Sequence, residues 1–443
     1  MIDWYLLIFI AFTLVILFLE KIGSHRRIYD YMNPGKEMGL SEGTYSLINQ
    51  FISGATFLFP FILTEKGGLS SFFILSIIPF LLYFLLVKLT SSQERMNQVF
   101  PFQLDTSMKA TPFYLLIFAF SSIGSILIHT SLIAIIFRDL FHHSPVLGVF
   151  LFLSFGFILF GLGGNYGVSK IGTLLSFAIF FVVSFTALTI YLRTGIGLVY
   201  EQFNYYFNGI FSGSFTENGL SFLTFLFIML GHTITSFSFW SSFNDVKTNH
   251  RLSALRFSLF SWAALLLAFA VLTIYILVQT KALPLSQMMQ MNGLLSHIII
   301  YIVIAMLAIG TGHALYSLVS LFLYARSTQQ TQLSSHQLLK QAYLVGIILS
   351  IITGFAAVWL SPNIGGWLPY FVSFFSSAGV PFIFAYFKGS FHQKQYNLSV
   401  GLMGITGLWL SAIIHNIWVI APISALLSFV VQMIITRFKI FQK

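Results

Sequence analysis

An all-α polytopic membrane protein with about thirteen spanning helices is the fold class this sequence predicts. Three observations carry it. Hydrophobic residues fill 57% of the 443 positions and charged residues 8%, where water-soluble domains carry about a quarter charged. Apolar stretches of roughly 20 residues, long enough to cross a bilayer core of about 30 Å, recur along the whole chain. Lys and Arg fall very unequally on the two sides of these stretches. Such a composition excludes a soluble globular enzyme. It leaves little chain for a separate aqueous domain, so 1–443 reads as a single transmembrane domain with its chemistry inside the membrane.

The first span, 3–19, begins with Asp3 rather than a basic cluster and has no small-residue cleavage site after it, so it reads as a retained helix and not a signal peptide. Its basic flank, Lys21, Arg26 and Arg27, lies on the far side and puts the amino terminus outside. The spans that follow are 43–64, 69–89, 112–137, 145–163, 170–192, 219–238, 256–279, 296–325, 341–361, 367–387, 398–417 and 418–438. On this map the inner segments hold eighteen of the 22 Lys and Arg, and the outer ones hold only Lys66, Arg138, Arg193 and Lys281. A miscounted helix would scramble that bias. The net charge of +10 therefore reflects topology and calls for no nucleic acid. Retained helix and basic inner loops together suit the plasma membrane of a bacterium, and the lack of Cys excludes disulfides and thiolate metal sites.

Two spans depart from the plain Leu, Ile and Phe pattern. The second carries Asn49, Gln50, Ser53, Gly54 and Thr56 inside it, and the seventh carries Gly231, His232, Thr233, Thr235 and Ser236 at its middle. Backbone polar groups freed at membrane depth are tolerated only where they line a cavity or are otherwise satisfied. Each span reads as a broken helix, although small and hydroxyl residues also serve plain helix packing. The two lie five helices apart. An inverted repeat follows, with repeat 1 over 43–192 and repeat 2 over 219–387. Residues 1–42 then supply an extra helix and inner loop, and 398–443 two extra helices. Broken helices at matching places of two halves point to a transporter's central site.

No carboxylate falls near the middle of a span, so histidines are the titratable groups at depth: His129, His232 and His313, with His297 and His415 nearer the ends. An ionisable group in a membrane is a functional candidate, while a neutral hydrogen-bonded His is the plain structural reading. The third helices of the two halves echo each other, Ile123-Gly124-Ser125 before His129 and Ile309-Gly310-Thr311 before His313.

The stretch YDYMNPGKEMGLSEGTYSLINQFISGATFLFPFILTEKGG resembles the start of sodium:solute symporter proteins, as does the segment from Trp240 to Arg256. The motif match covers about a fifth of the chain; the topology match covers all of it. The resemblance implies the leucine-transporter fold, alternating access around a midplane site, and a sodium ion held by carbonyls of the second helix and adjacent hydroxyls of the ninth. Carried over, Asn49 and Ile52 supply the carbonyls, and Gly310 and Thr311 stand at the hydroxyl pair. Gly310 has no hydroxyl to give, and GGNYGVSKIGTLLSF lacks the Asp and Gln the family often shows there.

The expected function is ion-coupled secondary transport, by sodium symport, of a small zwitterion, carboxylate or neutral polar solute. Asn49, Gln50, Ser53, His232, Thr233 and Ser236 are the candidate solute contacts. Exposed amide ends of broken helices favour anionic groups, and the lack of buried carboxylates argues against a purely cationic solute. Two alternatives remain open. Protonation of His232 or His313 can replace sodium binding, or the chain can be a non-transporting solute sensor, which would need a protein partner because no signalling domain follows the last helix. The lipid bilayer is the other partner. Met288, Met289 and Met291 offer thioethers that suit Cu(I), but such a cluster more commonly covers a loop, and no transition metal or other cofactor is expected. No buried carboxylate pair, nucleophile elbow or phosphate loop marks an enzyme.

Overall fold

Helix is what these residues form almost everywhere in the computed structural model, which describes residues 28–32, 38–68, 70–90, 112–206, 215–280, 294–327, 334–381, 383 and 393–437. The predicted first span and the Met288–Met291 cluster lie outside the described residues. In chain order the helices are α1 (Ile28–Met32), α2 (Leu40–Phe51), α3 (Gly54–Gly67), α4 (Ser70–Thr90), α5 (Pro112–Asp139), α6 (Pro145–Gly156), α7 (Gly164–Thr194) and α8 (Ile196–Tyr206). After these come α9 (Phe215–Ile234), α10 (Phe237–Asp245), α11 (Arg251–Thr280), α12 (Leu294–Ser327), α13 (Ser335–Leu360), α14 (Ile364–Ala378), α15 (Gln393–Ser411) and α16 (Ile417–Arg437). Among the described residues, seven helices are long and apolar enough to cross a membrane, and two bent pairs would each make one further span. The bent pairs are the two helices that the sequence predicts to be broken.

The first bend, 60°, falls between α2 and α3. Ile52 and Ser53 are extended, at φ −78° and −153°. Pro60, which lacks an amide donor, sits within α3 rather than at the break, so the interruption is set by the polar Ser53-Gly54 pair. The second bend, 66°, falls between α9 and α10. Its second arm runs to Asp245, past the predicted end at 238, because Ser238, Ser241, Ser242 and Asn244 dilute the hydropathy of a helix that is nonetheless buried.

Packing divides the bundle into groups. Helix α11 lies along α2, α3 and α4, whereas α5 packs along α12, α6 and α13. The arm α9 and the last two helices gather around α14. The α9–α14 contact is backbone on backbone: a Cβ on Gly231 would come 1.7 Å from the Phe375 carbonyl oxygen. At the end of α6 a π-turn, Phe157–Gly161, precedes Gly164, whose φ of +58° and contact with the Tyr31 carbonyl leave no room for a side chain. The Tyr31 hydroxyl donates to the Gly161 carbonyl at 2.7 Å, which ties α1 beneath the π-turn.

Candidate transport site

Each break exposes backbone groups that no helix can satisfy, and side chains from the third helix of each half reach them. At the first break, the Gly54 amide donates to Nε2 of His129 on α5 at 3.3 Å. That contact requires an unprotonated Nε2, so Nδ1 carries the proton toward the Ser125 hydroxyl 3.4 Å away. The Ser53 amide donates to Thr56 Oγ1, Thr56 Oγ1 donates to the Phe51 carbonyl, and the Trp262 indole donates to Thr56. At the second break, the Phe239 amide donates to Ser236 Oγ, and Trp240 Nε1 donates to the Ile234 carbonyl. From α12, Ser317 Oγ accepts the Ser238 amide at 3.2 Å, and His313 Nδ1 lies 2.8 Å from the Ser238 hydroxyl. The echo seen in the sequence, a His two to four residues after a Gly-hydroxyl pair, thus marks two imidazoles placed at the two breaks.

Between the breaks lies a small polar cavity whose walls include Gln50, Ser53, Ser125, His232, Ser236 and His313. It adjoins a larger cavity of about 140 Å³ through the shared residues Ser53, Ser125 and His232. The larger one is apolar, walled by Ile128, Leu132, Met229, Leu368, Val372 and Phe375. It runs from the breaks toward α3 and the starts of α14 and α16, the side that the basic residues assign to the exterior.

The opposite side is closed by backbone pairing between the two broken helices. The Met38 amide donates to the Asp245 carbonyl at 2.7 Å, and the Lys247 amide to the Met38 carbonyl at 3.0 Å, a parallel bridge just beyond the ends of α2 and α10. Arg251 clamps this seal, donating from Nε to the Val246 carbonyl at 2.8 Å and from Nη2 to the Asn244 carbonyl at 2.7 Å. Asn165 Nδ2 donates to the Asp245 carboxylate and to the Met32 carbonyl.

Of the residues predicted to touch solute, Gln50, Ser53, His232 and Ser236 line the cavity. Asn49 and Thr233 do not. Asn49 is turned into α7, where it accepts the Ser176 hydroxyl and leaves no room for a side chain at Gly172. Thr233 bonds back to the Met229 carbonyl, as a buried helical Thr does. Ser121, Ser122 and Ser317 also line the cavity; their one-turn spacing from Ser125 and His313 is the signal that could have found them.

The predicted ion ligands are arranged as follows. Gly310 faces His129, whose Cε1 would lie 2.5 Å from a Cβ there. The Thr311 hydroxyl is buried and has no hydrogen-bond partner among the described residues. His313 is directed toward the backbone of Asn49, yet among the described residues its Nε2 makes no hydrogen bond of standard geometry. Ile52, extended and buried, ends α2 at the break. Among the described residues no group of three His, Cys, Asp or Glu side chains could hold a metal ion.

No protein-family model matches the chain, and no curated protein matches it. Solved structures do. A Na+-coupled sialic acid symporter, in a substrate-bound outward-open state, superposes with a TM-score of 0.76 over 99% of this chain and 98% of its own, at 17% identity. MhsT in complex with L-phenylalanine gives a TM-score of 0.53 at 17% identity, covering 88% of this chain and 97% of that one. A mutant manganese transporter of Eremococcus coleocola gives 0.50 at 14% identity, covering 89% and 94%. The chain therefore has the leucine-transporter fold, a multi-pass membrane fold whose solved examples here are transporters and not enzymes.

Proposed function

We propose that this chain is an ion-coupled secondary transporter that carries a small organic solute across the plasma membrane by alternating access. The observation that supports this most is the cavity between two helices broken at adjoining places, reaching toward one side only while backbone pairing seals the other. A site that extends toward one side, with a seal made of few hydrogen bonds on the other, suits a carrier that exchanges one closure for another. The likeness to a Na+-coupled symporter favours sodium as the coupling ion. Thr311 is the remaining hydroxyl at the carried-over pair, and with the Asn49 and Ile52 carbonyls it makes up the ligand set that the family resemblance implies for a hard cation.

Proton coupling is the second reading, and one observation favours it: His129 covers the Gly310 face, and His313 is directed at the Asn49 backbone, so imidazoles stand at the carried-over ion ligands. Thermal unfolding of the detergent-purified chain in NaCl, KCl and choline chloride, at equal ionic strength and at acid and alkaline pH, separates the two. A ligand that binds only the folded state raises the midpoint by mass action. A sodium-selective rise that Thr311→Ala abolishes supports symport with sodium. A midpoint blind to sodium, with uptake whose pH dependence is lost in His313→Gln, supports the proton. Solute binding without accumulation in proteoliposomes under either gradient would leave a sensor and reject transport.

A further inference from the structure

We infer that the solute is an uncharged, ring-sized molecule with one hydrogen-bonding edge and an otherwise apolar body. This rests on the transporter reading of the same cavity and narrows its solute. The two compartments differ in chemistry. The inner one presents hydroxyls and amides, including Ser53, Ser125, Ser236 and the Gln50 side chain, whose Nε2 is already given to Ser242 and whose Oε1 is left as an acceptor. The outer one is walled by aliphatic and aromatic side chains. Its volume of about 140 Å³ is that of a dry cavity able to take a benzene ring, for which roughly 150 Å³ suffices. A sugar or other polyol seated there would bury hydroxyls without partners, which is costly.

Charge is excluded by the walls. Among the described residues neither compartment is lined by Asp, Glu, Lys or Arg, and an ion buried without a counter-charge is strongly disfavoured. Three of the helix amide ends are also engaged, those of Gly54, Phe239 and Ser238 being given to His129, Ser236 and Ser317. His232 is the one imidazole shared by both compartments; it meets Phe375 edge-on and makes no hydrogen bond among the described residues, so a ring nitrogen is left for the solute's polar edge.

The test is ligand-induced stabilisation of the detergent-purified full chain. Thymine and benzamide are the probes, and benzoate, phenylalanine and glucose the comparators, with uptake of the same labelled compounds into proteoliposomes. The expected result is a saturable rise in midpoint with at least one probe and none with the comparators. Val372→Trp and, independently, Leu132→Trp, which fill the apolar compartment, should weaken that binding by about tenfold or more. Each variant is scored only if its ligand-free midpoint and gel-filtration profile match those of the parent. A rise with benzoate, phenylalanine or glucose, or no rise with either probe, overturns the inference. Uptake of a charged or polyhydroxylated compound overturns it while upholding transport, whereas probe binding without uptake upholds the inference and sinks the transporter reading.

Discussion

His129 occupies the volume that any side chain on Gly310 would need: an added Cβ would lie 2.5 Å from the imidazole Cε1 and 2.7 Å from Nε2. The same ring satisfies the Gly54 amide. The two positions are therefore energetically coupled. Gly310→Ala alone overpacks the site and should cost about 1–3 kcal/mol. His129→Ala alone strands a buried amide and should cost a similar ~1–3 kcal/mol. In the double variant the alanine enters vacated space, and the summed cost should fall short of additivity by about 0.5–3 kcal/mol. Chemical denaturation of all four proteins in one detergent measures this, and strict additivity would refute the contact.

Gly231 and Gly197 should respond in opposite directions to alanine. At Gly231 the new methyl meets the Phe375 carbonyl at 1.7 Å, a backbone group that cannot rotate away. Folded protein recovered by gel filtration should drop to a small fraction of the parent's. At Gly197, within α8, nothing lies within 4 Å. Alanine there should raise the midpoint slightly, by up to about 1 kcal/mol of helix propensity.

Opening of the sealed side should follow loss of Arg251. Its guanidinium binds the Asn244 and Val246 carbonyls beside the Met38 bridge, so Arg251→Ala should shift the population away from the form described here. The chain has no native Cys, so a single Ser125→Cys reports cleanly through the outer cavity. Its reaction with a membrane-impermeant thiol reagent added from outside should slow by about threefold or more when Arg251→Ala is introduced, a shift of somewhat under 1 kcal/mol. An unchanged rate would mean that the seal does not depend on this clamp.

Adjacent residues of the first break should separate stability from recognition. Asn49→Ala removes the acceptor of the Ser176 hydroxyl and should lower the midpoint, by about 1–3 kcal/mol, with little effect on solute affinity. Gln50→Ala takes a polar group out of the cavity wall and should weaken binding by about tenfold.

Much of this architecture was legible in the sequence because a bilayer imposes a simple rule. Twenty apolar residues make a span, and polar interruptions such as Asn49 to Thr56 and Gly231 to Ser236 stand out against it. Side-chain direction was not legible. Asn49 and Gln50 are neighbours of nearly equal polarity, yet one faces α7 and the other the cavity, which only the helical phase at the break decides. Nor did composition disclose that the amides freed at the breaks are capped by His129, Ser236 and Ser317, since capping here joins residues up to 79 positions apart. The seal escaped notice because it is made of main-chain groups of Met38, Asp245 and Lys247, which any residue but proline could supply.

Polar ties to α5 and α12 hold both broken helices: Gly54 to His129, Thr235 to Ser121 at 2.8 Å, and Ser238 to His313 and Ser317. Motion of the broken helices against these two must exchange such ties in low-dielectric surroundings, where a hydrogen bond lost without replacement is costly. An empty site offers no replacement partner, whereas a solute with a hydrogen-bonding edge does. Under the proposed transport cycle the loaded protein should then reorient faster than the empty one, so that solute preloaded inside vesicles accelerates entry of labelled solute from outside. Exchange outpacing net uptake would be the kinetic trace of four hydrogen bonds.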